Sequence, residues 1–310
     1  MSNHPSALPA PLYQGSVNTW ECDDGGHLNV RFHFERAMIG LAHFARHLEI
    51  PRAFTNAGGS TLAPLEAHAR FLKEARPGAP LVMHGAVVRM DESEALLCLD
   101  MRHADGAPAS CFTIRAAHVD TRQFQPFPWS ARTRAAAAQL TITPGAHALA
   151  RSIDMAQAPA AASRQGAIDA GAMRTGAAMV SIDQCDAFGR LRGEHFIGRI
   201  SDAVPNLLAE WRRQAQASEG GAAAGAVVES RIVWRRWPRP GDLTEVYSGL
   251  CEVGEKTLRL AHWICDPESG AAWASMEAVA LTFDTVTRKT IAPSAAVRAA
   301  MQKRVVALRA

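Results

Sequence analysis

No stretch of the chain approaches the roughly 18 consecutive apolar residues of a membrane helix, so no membrane span is expected. Neither charge is in excess. Lys+Arg 33 against Asp+Glu 30 leaves +3, a balance that argues against nucleic-acid binding. The six cysteines (Cys22, Cys98, Cys111, Cys185, Cys251, Cys265) show no CxxC spacing and are too few for a disulfide scaffold at 310 residues. Reduced thiols in a cytoplasm follow as the expectation, and neither a metal site nor a cofactor is predicted. Met1–Tyr13 holds three prolines and no basic-then-apolar block, which predicts no secretory signal. Gly 23 and Pro 17 are spread through a chain that is 48% hydrophobic and 20% charged, which excludes collagen-like, coiled-coil and wholly disordered classes. What remains is an ordinary globular composition with length for about two domains.

Those two domains read as one unit written twice. Val17, Cys22, Asp23, Gly26 and Leu28 match Val180, Cys185, Asp186, Gly189 and Leu191, each pair 163 positions apart. Arg36 and Arg199, Glu66 and Glu229, and Pro77-Gly78 and Pro240-Gly241 keep that spacing. Further on it becomes 164, at Gly106-Ala107 with Gly270-Ala271 and Asp120-Thr121 with Asp284-Thr285. A single identity is cheap, but a register held over about a hundred residues with one slip is not. The expected division is a first domain over 1–140, an Ala-rich connector over 141–170 and a second domain over 171–310. A helix over Trp129–Leu140 would close the first domain, and alanine content favours a short helix around His147–Ala156.

Within the first unit, Gln14–Trp20 reads as an entering strand, broken at Cys22–Gly26. Phe34, Met38, Leu41, Ala45 and Leu48 then fall at spacings of three and four, predicting a helix over about Asn29–Leu48 that Pro51 stops. Phe32, Ile39 and Phe44 make it apolar over more than one face, as for a helix wrapped by sheet. Strands are expected over Thr61–Leu72, Leu81–Met90, Leu96–His103 and Ala109–Asp120, separated by turn residues. The second unit repeats the order, with a helix from about Glu194 that Pro205 should end or kink after about three turns. Strands follow at Val227–Trp234, Thr244–Val253, Thr257–Cys265 and Ala272–Phe283. One long helix with an antiparallel sheet, twice over, is an α+β double-hotdog architecture.

The segment Asp23-Asp24-Gly25-Gly26-His27-Leu28-Asn29 resembles the D-x-x-G-H-x-N signature of hotdog-fold acyl-CoA thioesterases of the 4-hydroxybenzoyl-CoA thioesterase-like superfamily. Leu65–Glu74 followed by Pro77-Gly78 is similar to the second strand of the same group, closest to members acting on small acyl-CoA esters. His118-Val119-Asp120 is similar to its closing strand. The likeness spans nearly all of the first half, and the helix region Phe196–Pro205 also resembles tandem acyl-ACP thioesterases. It implies hydrolysis of an acyl-CoA thioester, active sites where two hotdog units meet, and an internal pseudo-dimer that further oligomerisation could extend.

The residue types suit that chemistry. Thioester hydrolysis needs a carboxylate to attack or to activate water, and donors for the developing oxyanion. Asp23 ends a strand next to a helix start, whose amides and dipole favour negative charge. Asp23 is therefore the expected base or nucleophile, with His27, Asn29 and Glu66 as positioning groups. Gly26 would allow close approach of the acyl group. The amides from Asn29 through Val30 to Arg31 would bind the carbonyl oxygen. Glu66 and His68, two apart on a strand, share a face; packing of that face is an equally open reading. A bare Asp-x-x-Gly before a helix can also be no more than a cap. The histidines His33, His43 and His47 read as surface or core residues.

In the second half His27 becomes Arg190, Asn29 becomes Arg192 and His68 becomes Arg231, while Asp186 and Glu229 keep the carboxylates. Arginine nearby keeps a carboxylate ionised and weakens it as a base. The second site is expected to have lost catalysis, its arginines pairing internally or holding an anionic part of the substrate. Two rivals remain: an enoyl-CoA hydratase, against which the Asp23–His27 spacing argues, and a non-catalytic acyl-CoA-binding protein.

Overall fold

The computed structural model describes residues 10–219 and 223–309. The proline-containing opening, up to residue 9, lies outside them. In chain order the elements are β1 (Tyr13–Ser16), α1 (Val30–His47), β2 (Ser60–Phe71), β3 (Pro80–Met90), β4 (Glu94–His103), β5 (Pro108–Asp120), α2 (Ala131–Gln139), α3 (Arg164–Asp169), β6 (Met173–Met179), α4 (Gly193–Glu219), β7 (Ala223–Trp234), β8 (Leu243–Val253), β9 (Thr257–Cys265), β10 (Ala272–Asp284), β11 (Thr290–Ile291) and α5 (Ala295–Gln302). The α+β class expected from the sequence holds: one large antiparallel sheet and few helices.

The sheet has eleven strands in the order β1-β3-β4-β5-β2-β7-β10-β9-β8-β6, with β11 on β10. Substituting each strand by its repeat counterpart turns this order into its own reverse. The halves join where β2 pairs with β7, antiparallel, with His68 opposite Arg231. Those two positions are 163 apart, so the residue at the centre of the seam faces its own counterpart. That register defines an approximate two-fold axis between the halves.

The long helices lie against the sheet and against each other. Of the predicted α1 stripe, Phe34, Leu41, Ala45 and Leu48 are buried in the main core with Leu97, Leu99 and Ile114, joined there by Ala37 and Phe44. Fully burying one large apolar side chain contributes about 1.5–3 kcal/mol, so this face alone fixes the helix on the sheet. Asn29 caps its start by accepting a hydrogen bond from the Arg31 amide (2.9 Å), and Glu49, in the left-handed region (φ 59°), ends it ahead of Pro51. Ile39, by contrast, is exposed and Met38 half-buried, on a side that faces the second half.

Three expectations need correction. The helix containing Pro205 does not end there; α4 continues to Glu219. An interior proline costs about 3 kcal/mol of helix stability, but Ala203 and Leu207 on either side are buried in the core and hold the helix in place. No helix forms over His147–Ala156: a single 3-10 turn at Ala146–Ala148 is followed by bends and turns without regular secondary structure. That chain is held by arginines donating to its carbonyls: Arg70 to Leu149 (2.9 Å), Arg259 to Ser152 (2.6 Å), Arg231 to Gln157 (2.9 Å) and Arg235 to Ala160 (2.6 Å). The connector is thus a strap across both halves. Finally, the entering strand stops at Ser16, and Thr19–Glu21 forms a 3-10 turn instead.

Candidate active site

The two motif loops have the same backbone. In the first, the Asp23 amide donates to the His27 carbonyl (3.1 Å) and the Gly26 amide to the Asp23 carbonyl (3.0 Å). In the second, Asp186 and Arg190 (2.8 Å) and Gly189 and Asp186 (3.0 Å) repeat those bonds. Gly26 (φ 71°) and Gly189 (φ 68°) occupy the left-handed region that side chains resist. A Cβ on Gly26 would meet nothing within 4 Å, so the turn, and not crowding, requires the glycine.

A buried arginine fixes each loop, a role the sequence reading missed although Arg36 and Arg199 were visible in the repeat. Arg36 donates to Glu21 Oε2 (2.8 Å), the Ser16 carbonyl (3.1 Å) and the Phe32 carbonyl (3.1 Å), tying strand, turn and helix together. Arg199 does the same through Gln184 Oε1 (3.0 Å) and the Met179 and His195 carbonyls.

The side chains then diverge. Asp23 Oδ1 accepts from the Gly25 amide (2.9 Å) and lies 3.4 Å from His27 Nδ1. Burial pushes the Asp23 carboxyl above its ordinary range, while the neighbouring imidazole and the Gly25 amide hold it partly down. Asn29 is a helix cap: its amide donates to the Glu21 carbonyl (2.9 Å) and its Oδ1 accepts from the Arg31 amide and from Ser201 Oγ (3.4 Å). Two of the three expected oxyanion amides are therefore engaged. The Val30 amide, first in the helix, has no acceptor among the described residues. The Arg31 side chain packs on Gly198 at the crossing of α1 and α4. The loop is covered from the other half, where Phe283 meets the His27 ring edge-on (5.7 Å) and Arg288 donates to the Gly25 carbonyl (3.0 Å).

At the second loop, Asp186 Oδ1 accepts from both the Phe188 (2.8 Å) and Arg190 (3.0 Å) amides. Burial raises this carboxyl too. Arg190 stacks on the ring of Phe124, from the first half, and Arg192 Nε pairs with Glu194 Oε1 (3.2 Å). Arg192 is thus paired within the second half, and Arg190 lies on an aromatic ring of the first. Beside this loop lies a cavity of about 400 Å³ between the halves, walled by Met38, Ile39, Leu62, Phe124, Phe188 and Trp237 and reached by Asp186 and Glu194. Glu194, which sequence reasoning did not single out, is 2% exposed, and burial pushes its carboxyl up. Its only sequence signal is position, in the first turn of α4 where Arg31 stands in α1.

Glu66, His68, Glu229 and Arg231 are brought together at the β2–β7 seam. Arg231 Nε donates to Glu66 Oε1 (2.7 Å), and His68 Nε2 lies 2.9 Å from Glu229 Oε1. Each pair links one half to the other, centred on the two-fold axis. Burial would raise the Glu229 carboxyl, yet His68 and the Arg151 and Ser152 amides of the connector bring it down to about 2. The cause of this placement is a β-bulge. In β2 the register shifts between Pro64 and Glu66, so Leu62 before it and Ala67 and Ala69 after it face α1. Simple alternation from Leu62 would put Glu66 and His68 on the α1 side; the extra residue turns them to the outer face, under the strap. Strand β7 carries the same bulge between Val227 and Glu229. Glu66, His68, Glu229 and Arg231 thus pair with one another across the seam, beneath the connector. Cys22 and Cys185 each donate to a backbone carbonyl (3.5 Å), and burial raises both thiols, so neither is an activated nucleophile.

The sequence profile of the thioesterase-like superfamily matches residues 17–137 and again 180–301. Among solved structures the chain is similar to a putative oleoyl thioesterase from Lactobacillus plantarum (TM-score 0.66, 12% identity, covering 87% of this chain and 95% of that one). It is also similar to a 12:0-ACP thioesterase from Umbellularia californica (TM-score 0.66, 10% identity, 87% and 93%) and an acyl-ACP thioesterase from Bacteroides thetaiotaomicron (TM-score 0.61, 12% identity, 86% and 96%). At such identities the likeness is one of fold. No curated protein sequence matches the chain. Among the described residues no helix is long and apolar enough to cross a membrane.

Proposed function

Since the chain belongs to the thioesterase-like superfamily over most of both halves, we propose that it hydrolyses an acyl-CoA thioester at the first loop. The reading takes each half as a hotdog unit and the two as an internal pseudo-dimer acting in the cytoplasm. The observation that carries it is Asp23: a desolvated carboxyl beside His27, at the N-terminus of α1, under a cover supplied by the other half. Asp23 Oδ1 is held by the Gly25 amide, which leaves Oδ2 to attack the thioester carbonyl or to take a proton from the attacking water. The Val30 amide, backed by the helix dipole, receives the oxyanion. Collapse of the tetrahedral species breaks the carbon–sulfur bond. Where Asp23 has activated water, the thiolate takes the proton held by Asp23 and leaves as free thiol, with release of the free acid. Where Asp23 has attacked, the thiolate is protonated by solvent and a water then cleaves the acyl–Asp23 anhydride to the free acid and the Asp23 carboxylate. His27 keeps the Asp23 carboxyl oriented and partly ionised. Asp186 lacks that partner, since Arg190 is turned onto Phe124.

The test is release of free thiol over a panel of short, medium, aromatic and acidic acyl-CoAs, with the same acyl groups on acyl-carrier protein run alongside. Turnover of the CoA esters supports the reading. Binding without turnover identifies an acyl-CoA-binding protein, and loss of enoyl absorbance without thiol identifies a hydratase; either result overturns it. Turnover confined to acyl-carrier-protein esters overturns the choice of carrier.

A further inference from the structure

On β4, Leu97, Leu99 and Met101 face the core, so Cys98, Asp100 and Arg102, alternating with them, stand on the outer face of the sheet. The ladder sets Cys111 of β5 opposite Asp100. The connector lays its turn at Ala146–Ala148 over this patch, where Ala148 packs with Cys98 and Cys111 and His147 reaches Asp100. Two thiols, a carboxylate and an imidazole thus meet under the strap. Cys98 Sγ lies 3.6 Å from Cys111 Sγ, and His147 Nε2 lies 3.2 Å from Asp100 Oδ2. One donor atom each from Asp100, Cys111 and His147 falls within 4.8 Å of the other two. Spacing hides the patch from the sequence, since the cysteines are 13 positions apart on different strands and the imidazole comes from the connector. The fold alone does not call for these residues. In the second half Trp263 and Ser275 are paired as Asp100 and Cys111 are here, and Ala261 stands at the place of Cys98. Ala261 and Trp263 join Ala167 of α3 in an apolar cluster, so the connector is held on that half by hydrophobic contact.

We propose that Cys98, Asp100, Cys111 and His147 form a structural zinc site that pins the connector to the first half. A tetrahedral zinc with bonds of about 2.0–2.3 Å holds its donors about 3.3–3.8 Å apart. The two sulfurs and the imidazole–carboxylate pair already stand close to those separations. Rotation of the Cys98 and His147 side chains brings both pairs onto one ion. Arg102 supports the set from outside: its Nε (2.9 Å) and Nη2 (2.6 Å) donate to Asp100 Oδ2, as hydrogen-bond donors orient metal-ligating carboxylates elsewhere. Asp100 Oδ1 keeps no hydrogen-bond partner among the described residues. Charge closes as well. Zinc brings two positive charges and Arg102 one, against two thiolates and one carboxylate, so the buried cluster is neutral. Binding releases the two thiol protons to solvent. Thiolate with imidazole suits zinc, whereas magnesium and calcium take oxygen donors. Structural zinc sites are closed, so buried donor atoms fit one, and the ion enters as His147 swings out on its turn. The proposal stands apart from the hydrolytic reading, since none of its donors belongs to either motif loop.

The test uses the full chain, reduced, stripped with a chelator and titrated with zinc against a chromophoric competitor. One zinc per chain should bind with a dissociation constant below about 50 nM. Cobalt in its place should show thiolate-to-metal charge-transfer absorption, which the double variant Cys98→Ser, Cys111→Ser should lose. Cys98→Ser, Cys111→Ser and His147→Ala should each weaken zinc by at least about a hundredfold. Free zinc at a hundredfold excess over its dissociation constant should raise the thermal midpoint by about 4 °C, and the same zinc should barely move that of His147→Ala. Should Cys111→Ser fail to fold by circular dichroism, His147→Ala carries the test from the connector turn. Cys185→Ser should bind zinc as the unmodified chain does. Asp23→Asn should do the same while losing thiol release, which separates this site from the hydrolytic one. No zinc bound at this affinity, binding that survives loss of Cys111 or His147, a weakening as large in Cys185→Ser, a cobalt spectrum without thiolate absorption, or a midpoint that zinc does not move overturns the proposal.

Discussion

The first and second motif loops share a backbone down to the glycine in the left-handed region, yet they have parted in chemistry. The loop that keeps an imidazole beside its carboxylate is covered by Phe283 and Arg288; the loop whose imidazole is replaced by arginine stands beside the apolar cavity. The shape of such a loop comes from two positions, the aspartate and the glycine three residues on. The side chains that differ include two others, those aligned with His27 and Asn29. A duplicated loop can therefore change its side chains without losing its fold.

The sharpest way to break this comparison is to neutralise each carboxylate in turn. Asp23→Asn is expected to lower thiol release about a thousandfold, the scale of a lost general base, while Asp186→Asn leaves it largely intact. Equal losses would show two working sites and end the division of roles.

The seam offers the next largest effect. Glu66→Ala leaves Arg231 buried without its carboxylate and should cost about 3 kcal/mol in urea denaturation. His68→Ala should cost about 1–2 kcal/mol, because Glu229 still accepts from the Arg151 and Ser152 amides. Neither should alter turnover per folded molecule; a kinetic defect as large as that of Asp23→Asn would return Glu66 to the active site.

His27→Arg writes the second half's residue into the first. Hydrolysis needs the Asp23 carboxylate ionised, so its rate should fall as pH drops through a carboxyl value raised by burial. A guanidinium favours the ionised form, so the variant's acid limb should move to lower pH, with turnover at neutral pH down about tenfold as the base weakens. A pH–rate profile that keeps its acid limb would separate Asp23 from the titration. Smallest of all, Asn29→Ala should cost about 1 kcal/mol of stability through the lost cap, read by thermal melting. A loss of turnover matching Asp23→Asn would show that Asn29 contacts substrate.

Much of this was legible in the sequence because periodicity and turn residues are local signals. The repeat register, the strands from β2 to β5 and the span of α1 follow from spacing alone. The α4 helix running through Pro205 was not legible, because burial of Ala203 and Leu207 decides it and burial is a tertiary fact. Glu66 and His68 were correctly placed on one face, but a period of two does not say which face, and the bulge between Pro64 and Glu66 reverses it. The strap is held by Arg70, Arg231, Arg235 and Arg259, residues far from it in sequence. Glu194 was hidden for another reason: an acidic residue at a helix start is ordinary, and its burial at the crossing of the halves is a tertiary fact.

The pairing of His68 with Arg231 at the centre of the β2–β7 seam has a consequence for what this chain can become. In an assembly of two identical subunits, a residue on the axis must meet itself, and every substitution is made twice. Here the strap makes both subunits one molecule, so the axis holds a histidine against an arginine, each answered by a glutamate from across the seam. Identity between partners is no longer imposed by symmetry, and a change on one side carries no obligation to the other.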